Sequence, residues 1–275
     1  MSLKISGSLN ATGFANPVAK ANPLLCIAHR GGPQMGGPQM GGPQMGGPQT
    51  EAASLPENSL AAIARALTLN VYAIEIDVFQ VEGELLVTHD RRLGRVVSGE
   101  GIITEQPLAY LREQQLANGE PIPTLQQVLQ LVGDKALLNI EIKGQQVVGA
   151  LKKILEEYIS SHQASYEQYI ISSFDHQQLH QCISALPQIK RGVLIEGIPL
   201  DYAACCDALK AYSLNSHLSF ITRELVADAK RRGLKNWVYT ANHEDDWRYL
   251  QSLGVDAVFT DKPDELLAFN QSFTE

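Results

Sequence analysis

The chain has 275 residues, 44% of them apolar and 19% charged, with 30 acidic against 22 basic side chains and a net charge of −8. That length supports one large domain or two small ones around a substantial core. The acidic balance argues against bulk-charge binding to nucleic acid or an anionic membrane, and no apolar stretch approaches the ~20 residues that cross a bilayer.

Residues 1–23 read as a polar lead-in, and Met1 to Lys20 carries no apolar block of the secretory kind. Leu24-Leu25-Cys26-Ile27-Ala28 is a short buried strand between Pro23 and a Gly-rich turn. Gly-Gly-Pro-Gln-Met then repeats from Gly31, with an altered fourth copy ending at Thr50. The repeat, 31–50, has neither helix nor strand period and too little apolar surface to offset its ordering, so a mobile surface loop is expected. A lid over a site is the sharper but less favoured reading. Asn58 or Ser59 starts an amphipathic helix over Leu60–Leu69. Beyond it, strands are predicted at Tyr72–Phe79, Ala136–Ile142, Gln168–Ser172, Arg191–Ile195, Tyr212–Asn215, Asn236–Thr240 and Ala257–Phe259. Helices fit Thr124–Val132, Gln145–Ser160, His176–Ala185, Tyr202–Lys210, Arg223–Arg232, Asp245–Leu253 and Pro263–Asn270. With the first strand this makes eight strand–helix units, the pattern of a closed (β/α)8 TIM barrel. An open doubly wound sheet is the alternative, and no G-x-G-x-x-G follows the first strand to support a dinucleotide crevice. Leu85-Leu86-Val87 and the residues after it suggest a small excursion at the end of strand 2. Cys26, Cys182, Cys205 and Cys206 show no metal-ligand spacing and are too few for a disulfide scaffold, so a soluble cytoplasmic protein is expected.

Charge interrupts two of these strands. In Ile74-Glu75-Ile76-Asp77-Val78 the period of two sets Glu75 and Asp77 on the face opposite the apolar residues. In Leu138-Asn139-Ile140-Glu141-Ile142-Lys143 it pairs Glu141 with Lys143. A single such strand is more often one with a solvated polar face. Two neighbouring strands with apolar flanks favour a site, near the strand ends where barrel enzymes keep theirs. Three inward carboxylates would repel one another unless a divalent cation joined them, and all-oxygen ligands suit Mg²⁺ or Ca²⁺ better than zinc. Lys143 is either an ion-pair partner or a contact for an anionic ligand.

His29-Arg30-Gly31 and His89-Asp90 each stand where a strand-like run opens into a loop. The other five histidines read as structural or stay open. Two imidazoles beside a metal and an arginine suit acid–base chemistry on a phosphodiester, one taking a proton and the other giving one. Three carboxylates, one divalent ion, Arg30 and Lys143 leave a net charge of +1, which balances a monoanionic diester.

The order of motifs resembles the glycerophosphodiester phosphodiesterase family from about Leu24 to the C-terminus. The match runs through His-Arg-Gly at 29–31, Pro-Glu-Asn-Ser at 56–59, Glu-Ile-Asp-Val at 75–78 and Thr-His-Asp at 88–90. It continues with Ile-Pro-Thr-Leu at 122–125, Glu-Ile-Lys at 141–143 and Ser-Ser-Phe at 172–174. Val-Tyr-Thr-Ala-Asn at 238–242 and Thr-Asp-Lys-Pro at 260–263 complete it. Each tripeptide is weak, but the ordered set is specific. The resemblance implies a (β/α)8 barrel that hydrolyses glycerophosphodiesters to sn-glycerol 3-phosphate and an alcohol with a divalent cation. It implies metal ligands at Glu75, Asp77 and Glu141, acid–base histidines at His29 and His89, and Arg30 and Lys143 near the phosphate. Glu57 would be metal-proximal, and residues 90–121 would be the family's small insertion at the substrate mouth. Two departures stand out: 24 residues, 32–55, replace the family's usual short turn, and Tyr239 stands where it usually has tryptophan. Tyrosine keeps an aromatic wall against the substrate but adds a hydroxyl.

The same site acting on lysophospholipids, or forming a cyclic phosphate, is a second reading, ranked lower because no apolar docking surface is evident in the sequence. A barrel binding a phosphorylated polyol without turnover is a third. It predicts loss of a histidine or carboxylate, and all are present. The expected partner is a small-molecule diester, with no nucleic acid and no stable membrane insertion.

Overall fold

Apolar strand segments alternating with amphipathic helices bury both faces of the sheet when the strands close inside a ring of helices. The computed structural model describes residues 22–34 and 55–272. The expected lead-in up to residue 21, and the repeat loop with its lid reading beyond Gln34, lie outside the described residues. Nine strands are described: β1 (Leu25–Ala28), β2 (Ala73–Val81), β3 (Glu84–Val87), β4 (Leu137–Ile142), β5 (Tyr169–Ser173), β6 (Lys190–Ile195), β7 (Ser213–His217), β8 (Lys235–Tyr239) and β9 (Ala257–Thr260). All but β3 pair in parallel in chain order, and β1 pairs with both β2 and β9, which closes a (β/α)8 barrel.

The α-helices around it are α1 (Leu60–Thr68), α3 (Leu125–Val132), α4 (Val147–His162), α5 (His176–Ala185), α6 (Cys205–Ala208), α7 (Arg223–Arg231), α8 (Glu244–Leu253) and α9 (Pro263–Gln271), with the short α2 (Leu108–Leu111) set apart after β3. Their starts follow local chemistry. The Ser59 hydroxyl accepts from Ala62 N at 3.1 Å, Thr124 and Gln127 form a capping box, and the Asp175 carboxylate receives the first N–H groups of α5.

The outward faces of the strands, Ile74, Ile76 and Val78 among them, pack with the helices in the main core. Inside the barrel, Ile27, Ala73, Ile170, Trp237, Ala257 and Phe259 plug one end. Above the plug the inward positions turn polar. Glu75 sits level with Asn139, Asp77 with Glu141, and Glu141 with Ser172. The sequence places charge at the C-terminal ends of β2 and β4, and the closed register turns that charge inward.

Two elements differ from the sequence expectation. The second strand runs on to Val81 because β3 folds back antiparallel on it from Val78 to Val81. The helix expected over Tyr202–Lys210 shrinks to α6. Its buried residues Ala203, Cys206 and Leu209 recur every three positions, which turns satisfy as well as helix does. Side chains take over its ends: Asp228 accepts from Ala203 N at 3.0 Å, and Arg191 donates to the Leu209 and Lys210 carbonyls. After β3, the chain builds a small satellite in which Val97, Ile103, Leu108, Leu111 and Leu116 pack on Phe79, Val81 and Leu86. This satellite stands beside the C-terminal end of β2.

Candidate active site

The three strand carboxylates converge. Glu75, Asp77 and Glu141 are buried, and each offers one oxygen within 4.8 Å of the others. The second oxygens are held from outside. Glu75 Oε2 accepts from Arg30 N at 2.8 Å, and Asp77 Oδ2 accepts from Asn58 Nδ2 at 2.9 Å. Asn58 also accepts from Asp77 N at 3.2 Å, so its amide locks strand and side chain together. Among the described residues, Glu75 Oε1 has no hydrogen-bond partner. Asp77 Oδ1 and Glu141 Oε1 meet the Lys143 ammonium at 3.3 and 2.5 Å.

The electrostatics follow. Burial, with Asp77 and Glu141 adding to it, pushes the Glu75 carboxyl well above the usual range. Burial and then Asp77 push Glu141 up to about 7. Burial opposes ionisation of Asp77 too, but Lys143, His89 and Arg30 together outweigh it and hold its carboxyl low. Three buried carboxylates gathered at one point, with a single ammonium shared between two of them, suit a cation site, because a divalent ion removes both repulsion and desolvation. The all-oxygen donor set fits Mg²⁺ or Ca²⁺.

The two histidines flank this cluster. His29 ends β1 in a turn where Arg30 (φ 50°) and Gly31 (φ 80°) are left-handed, aiming Arg30 N at Glu75. A Cβ on Gly31 would lie 3.0 Å from Ile63 Cγ1, so only glycine fits under α1. His29 Nδ1 meets Asp261 Oδ1 at 2.7 Å, and Asn242 Nδ2 donates to Asp261 Oδ2 at 2.7 Å. His89 Nδ1 meets Asp90 Oδ1 at 2.9 Å. Each imidazole is oriented through Nδ1 by a carboxylate, leaving Nε2 for chemistry. Burial, helped by the Lys143 and Arg30 charges against the pull of Asp77, holds His89 below the usual imidazole value.

Glu57 lies outside the carboxylate trio. It groups with His89 and Asp90, and its Oε1 accepts from Arg30 Nη1 at 3.0 Å. The guanidinium of Arg95, from the satellite, reaches Glu57 at 2.7 and 3.0 Å and Asp90 at 2.5 and 2.9 Å. The Arg95 contact is the chief reason the Asp90 carboxyl falls to about 2. Tyr239 ends β8 with its hydroxyl donating to Ile195 O at 2.9 Å and its ring edge-on to Phe174. A cleft of about 820 Å³, lined by His29, Arg30, Glu57, Arg95, Asn242 and Asp261, opens beside the cluster.

All nine side chains picked out in the sequence thus gather at the C-terminal mouth, Tyr239 on its aromatic side. Sequence reasoning gave no part in the site to Asn58, read only as a possible helix start, or to Asn242, Asp261, Asp90 and Arg95. The first four lay within the quoted motifs, each beside or near a predicted site residue. Arg95 had no signal, because an arginine in a polar loop reads as solvated.

The same arrangement has relatives. The profile of the Glycerophosphoryl diester phosphodiesterase family matches residues 50–265. The chain belongs to the glycerophosphoryl diester phosphodiesterase family. It is therefore an enzyme of the glycerophosphodiester phosphodiesterase class. It is similar to the glycerophosphodiester phosphodiesterase of Caldanaerobacter subterraneus subsp. tengcongensis, 33% identical over 231 residues that cover 79% of this chain and 93% of that one. Among solved structures it is similar to an Oleispira antarctica phosphodiesterase in complex with the product sn-glycerol-3-phosphate. That likeness has a TM-score of 0.75 at 26% identity, over 90% of this chain and 96% of the other. A second solved structure, a glycerophosphodiester phosphodiesterase assignment from Galdieria sulphuraria, shares the fold with a TM-score of 0.75 at 21% identity. It covers 92% of this chain and 100% of its own. Within this phosphodiesterase family, then, the chain keeps a full barrel. Among the described residues, no helix is long and apolar enough to cross a membrane.

Proposed function

We propose that this phosphodiesterase hydrolyses glycerophosphodiesters to sn-glycerol 3-phosphate and an alcohol, at a divalent cation, Mg²⁺ or Ca²⁺, held by Glu75, Asp77 and Glu141. The observation that carries the reading is the convergence of three buried carboxylate oxygens, short of partners, between two carboxylate-oriented imidazoles. When bound, the cation would polarise the phosphoryl oxygens and offset charge that builds on them. The chain's own residues do the rest. Arg30 and Lys143 supply the positive charge that draws in a monoanionic diester, and Glu57 holds the Arg30 guanidinium in place. One of His29 and His89 takes the proton of the attacking water at Nε2, and the other gives a proton to the departing alcohol oxygen. Asp261 and Asp90 keep each ring turned correctly. Tyr239 walls the apolar side of the substrate. The cysteine usage supports a cytoplasmic setting for the reaction.

Purified protein supplied with Mg²⁺ or Ca²⁺ is expected to release glycerol 3-phosphate from glycerophosphocholine, and EDTA to abolish release. Full turnover in EDTA, or in a His29→Ala, His89→Ala double variant, would overturn the reading.

A further inference from the structure

The chain has four cysteines, all free thiols, and their surroundings divide them. Cys26 and Cys182 are buried in the main core, and burial pushes their thiols up to about 12 and about 11. A thiol held protonated in a core packs as a small apolar side chain and reacts slowly. Cys205 and Cys206 are different. They are adjacent, at the first two positions of α6, with Cys206 buried in the core and Cys205 half-buried at the surface.

The buried thiol donates to the outer one. That hydrogen bond is the chief reason the Cys205 thiol falls to about 6, and it pushes the Cys206 thiol up. Burial and Asp201 oppose the fall, while the charge of His176 helps it. His176 opens α5, and its Nε2 meets the Leu194 carbonyl at 3.0 Å. A carbonyl only accepts, so the ring carries one proton at Nε2 and keeps Nδ1 for a second. A thiolate within reach of solvent therefore stands in front of a protonated thiol. Joining the two sulfurs requires the helix to open. Neighbouring Cα atoms, about 3.8 Å apart, lie closer than a relaxed disulfide allows, and successive helical side chains point about 100° apart. But α6 has only four residues and no side-chain cap at Ala204. Opening it loses little: Cys206 N to Ala203 O at 3.0 Å, with Asp207 N to Ala204 O and Ala211 N to Cys206 O at 3.1 Å.

We infer that Cys205 is a site of reversible oxidation by hydroperoxides and that Cys206 resolves it, closing a disulfide between the two neighbours. The chemistry is separate from the hydrolysis proposed above. The Cys205 sulfur attacks the terminal hydroperoxide oxygen, the O–O bond breaks, and the other oxygen leaves as an alcohol, or as water from hydrogen peroxide, with a proton from solvent. The Cys206 sulfur then displaces the sulfenic hydroxyl, which departs as water with the Cys206 proton. Two electrons pass from the thiol pair to the peroxide. Strain in the small ring keeps the disulfide easy to reduce, as befits a transient bond in a reducing compartment. The loop before α6 leaves Ile195, whose carbonyl takes the Tyr239 hydroxyl, so the change falls one loop away from the aromatic wall of the site.

The test treats the reduced native protein with hydrogen peroxide, blocks the remaining thiols with iodoacetamide and weighs the tryptic peptide 192–210, which holds Cys205 and Cys206 but neither other cysteine. The peptide should lose two hydrogens, take up no iodoacetamide and regain both thiols in dithiothreitol. Cys205→Ser should leave it without a disulfide or a dimedone adduct. Cys206→Ser should stop at the sulfenic acid, trapped as a dimedone adduct on Cys205. Cys206→Ala should give the same adduct, and it strands no hydroxyl in the core. A native peptide that keeps both thiols overturns the inference. So does a dimedone adduct in Cys205→Ser, or a native adduct as strong as that of the Cys206 variants. A disulfide joining Cys205 of two copies overturns the resolving role of Cys206.

Discussion

Strands β1, β2, β4 and β9 bring charge to the barrel mouth, whereas β5, β6, β7 and β8 bring rings and aliphatic side chains. The charged half is a network in which each group fixes another: Asp261 holds His29, Asn58 holds Asp77, Glu57 holds Arg30, and Arg95 holds both Glu57 and Asp90. Hydrogen bonds and ion pairs are directional and local charge is costly to strand, so one deletion there leaves other groups unpaired. The apolar half relies on contact and exclusion of water, which tolerate substitution of similar volume. The two halves should therefore fail differently.

The largest effect should come from the charged half. Stripping the cation with EDTA, or Asp77→Asn, should cut turnover of glycerophosphocholine by roughly 10³-fold or more, since several kcal/mol of charge stabilisation disappear. Readdition of Mg²⁺ or Ca²⁺ should restore the first but not the second. Next, His29→Ala and His89→Ala should each lower kcat by roughly 10²–10⁴-fold with little change in thermal stability. Arg95→Ala touches no predicted metal ligand, yet it releases Glu57 and Asp90 together. A kcat loss of roughly 10–100-fold, partly recovered in Arg95→Lys, is expected. An unaltered kcat would show that the network does not extend to the satellite.

Stability of the metal-free protein should also report on the charged half. The folded-state Glu141 carboxyl, at about 7, lies above its ordinary 4.5. Between those values the folded chain binds more protons than the unfolded one, so stability is full below about 4.5 and falls as pH rises through about 7. Urea titrations in EDTA should show this decline; a divalent cation should flatten it, and Glu141→Gln should lessen it while the raised Glu75 carboxyl keeps part of it. The smallest effect belongs to the apolar half. Tyr239→Phe removes the bond to Ile195 O and should cost about 1 kcal/mol in the same titration.

Legibility divided along the same line. The charged strands were readable because a period of two is local: Glu75-x-Asp77 and Glu141-x-Lys143 declare a shared face without any knowledge of the fold. Capping residues such as Ser59 and Thr124 were equally local. The short α6 was misread because a spacing of three serves turns and helix alike. Asp261 was visible inside a motif, but its contact with His29 joins positions 232 residues apart. The exposed apolar side chains at the mouth were not legible as one surface: Phe174 stood in a quoted motif, but Ile198, Leu200 and Phe220 are spread over two further loops and form no apolar run with it.

Strand and helix identity, the barrel alternation and the acid-bearing strand faces were settled by the order of residues, because each depends on neighbours within a few positions. Which oxygens go without partners, which carboxylate steers which imidazole, and where scattered apolar side chains become one surface were settled only when the barrel closed. Closure brings β1 against β9 and ranges eight loops around one opening, so side chains hundreds of residues apart come to act on the same few ångströms of space.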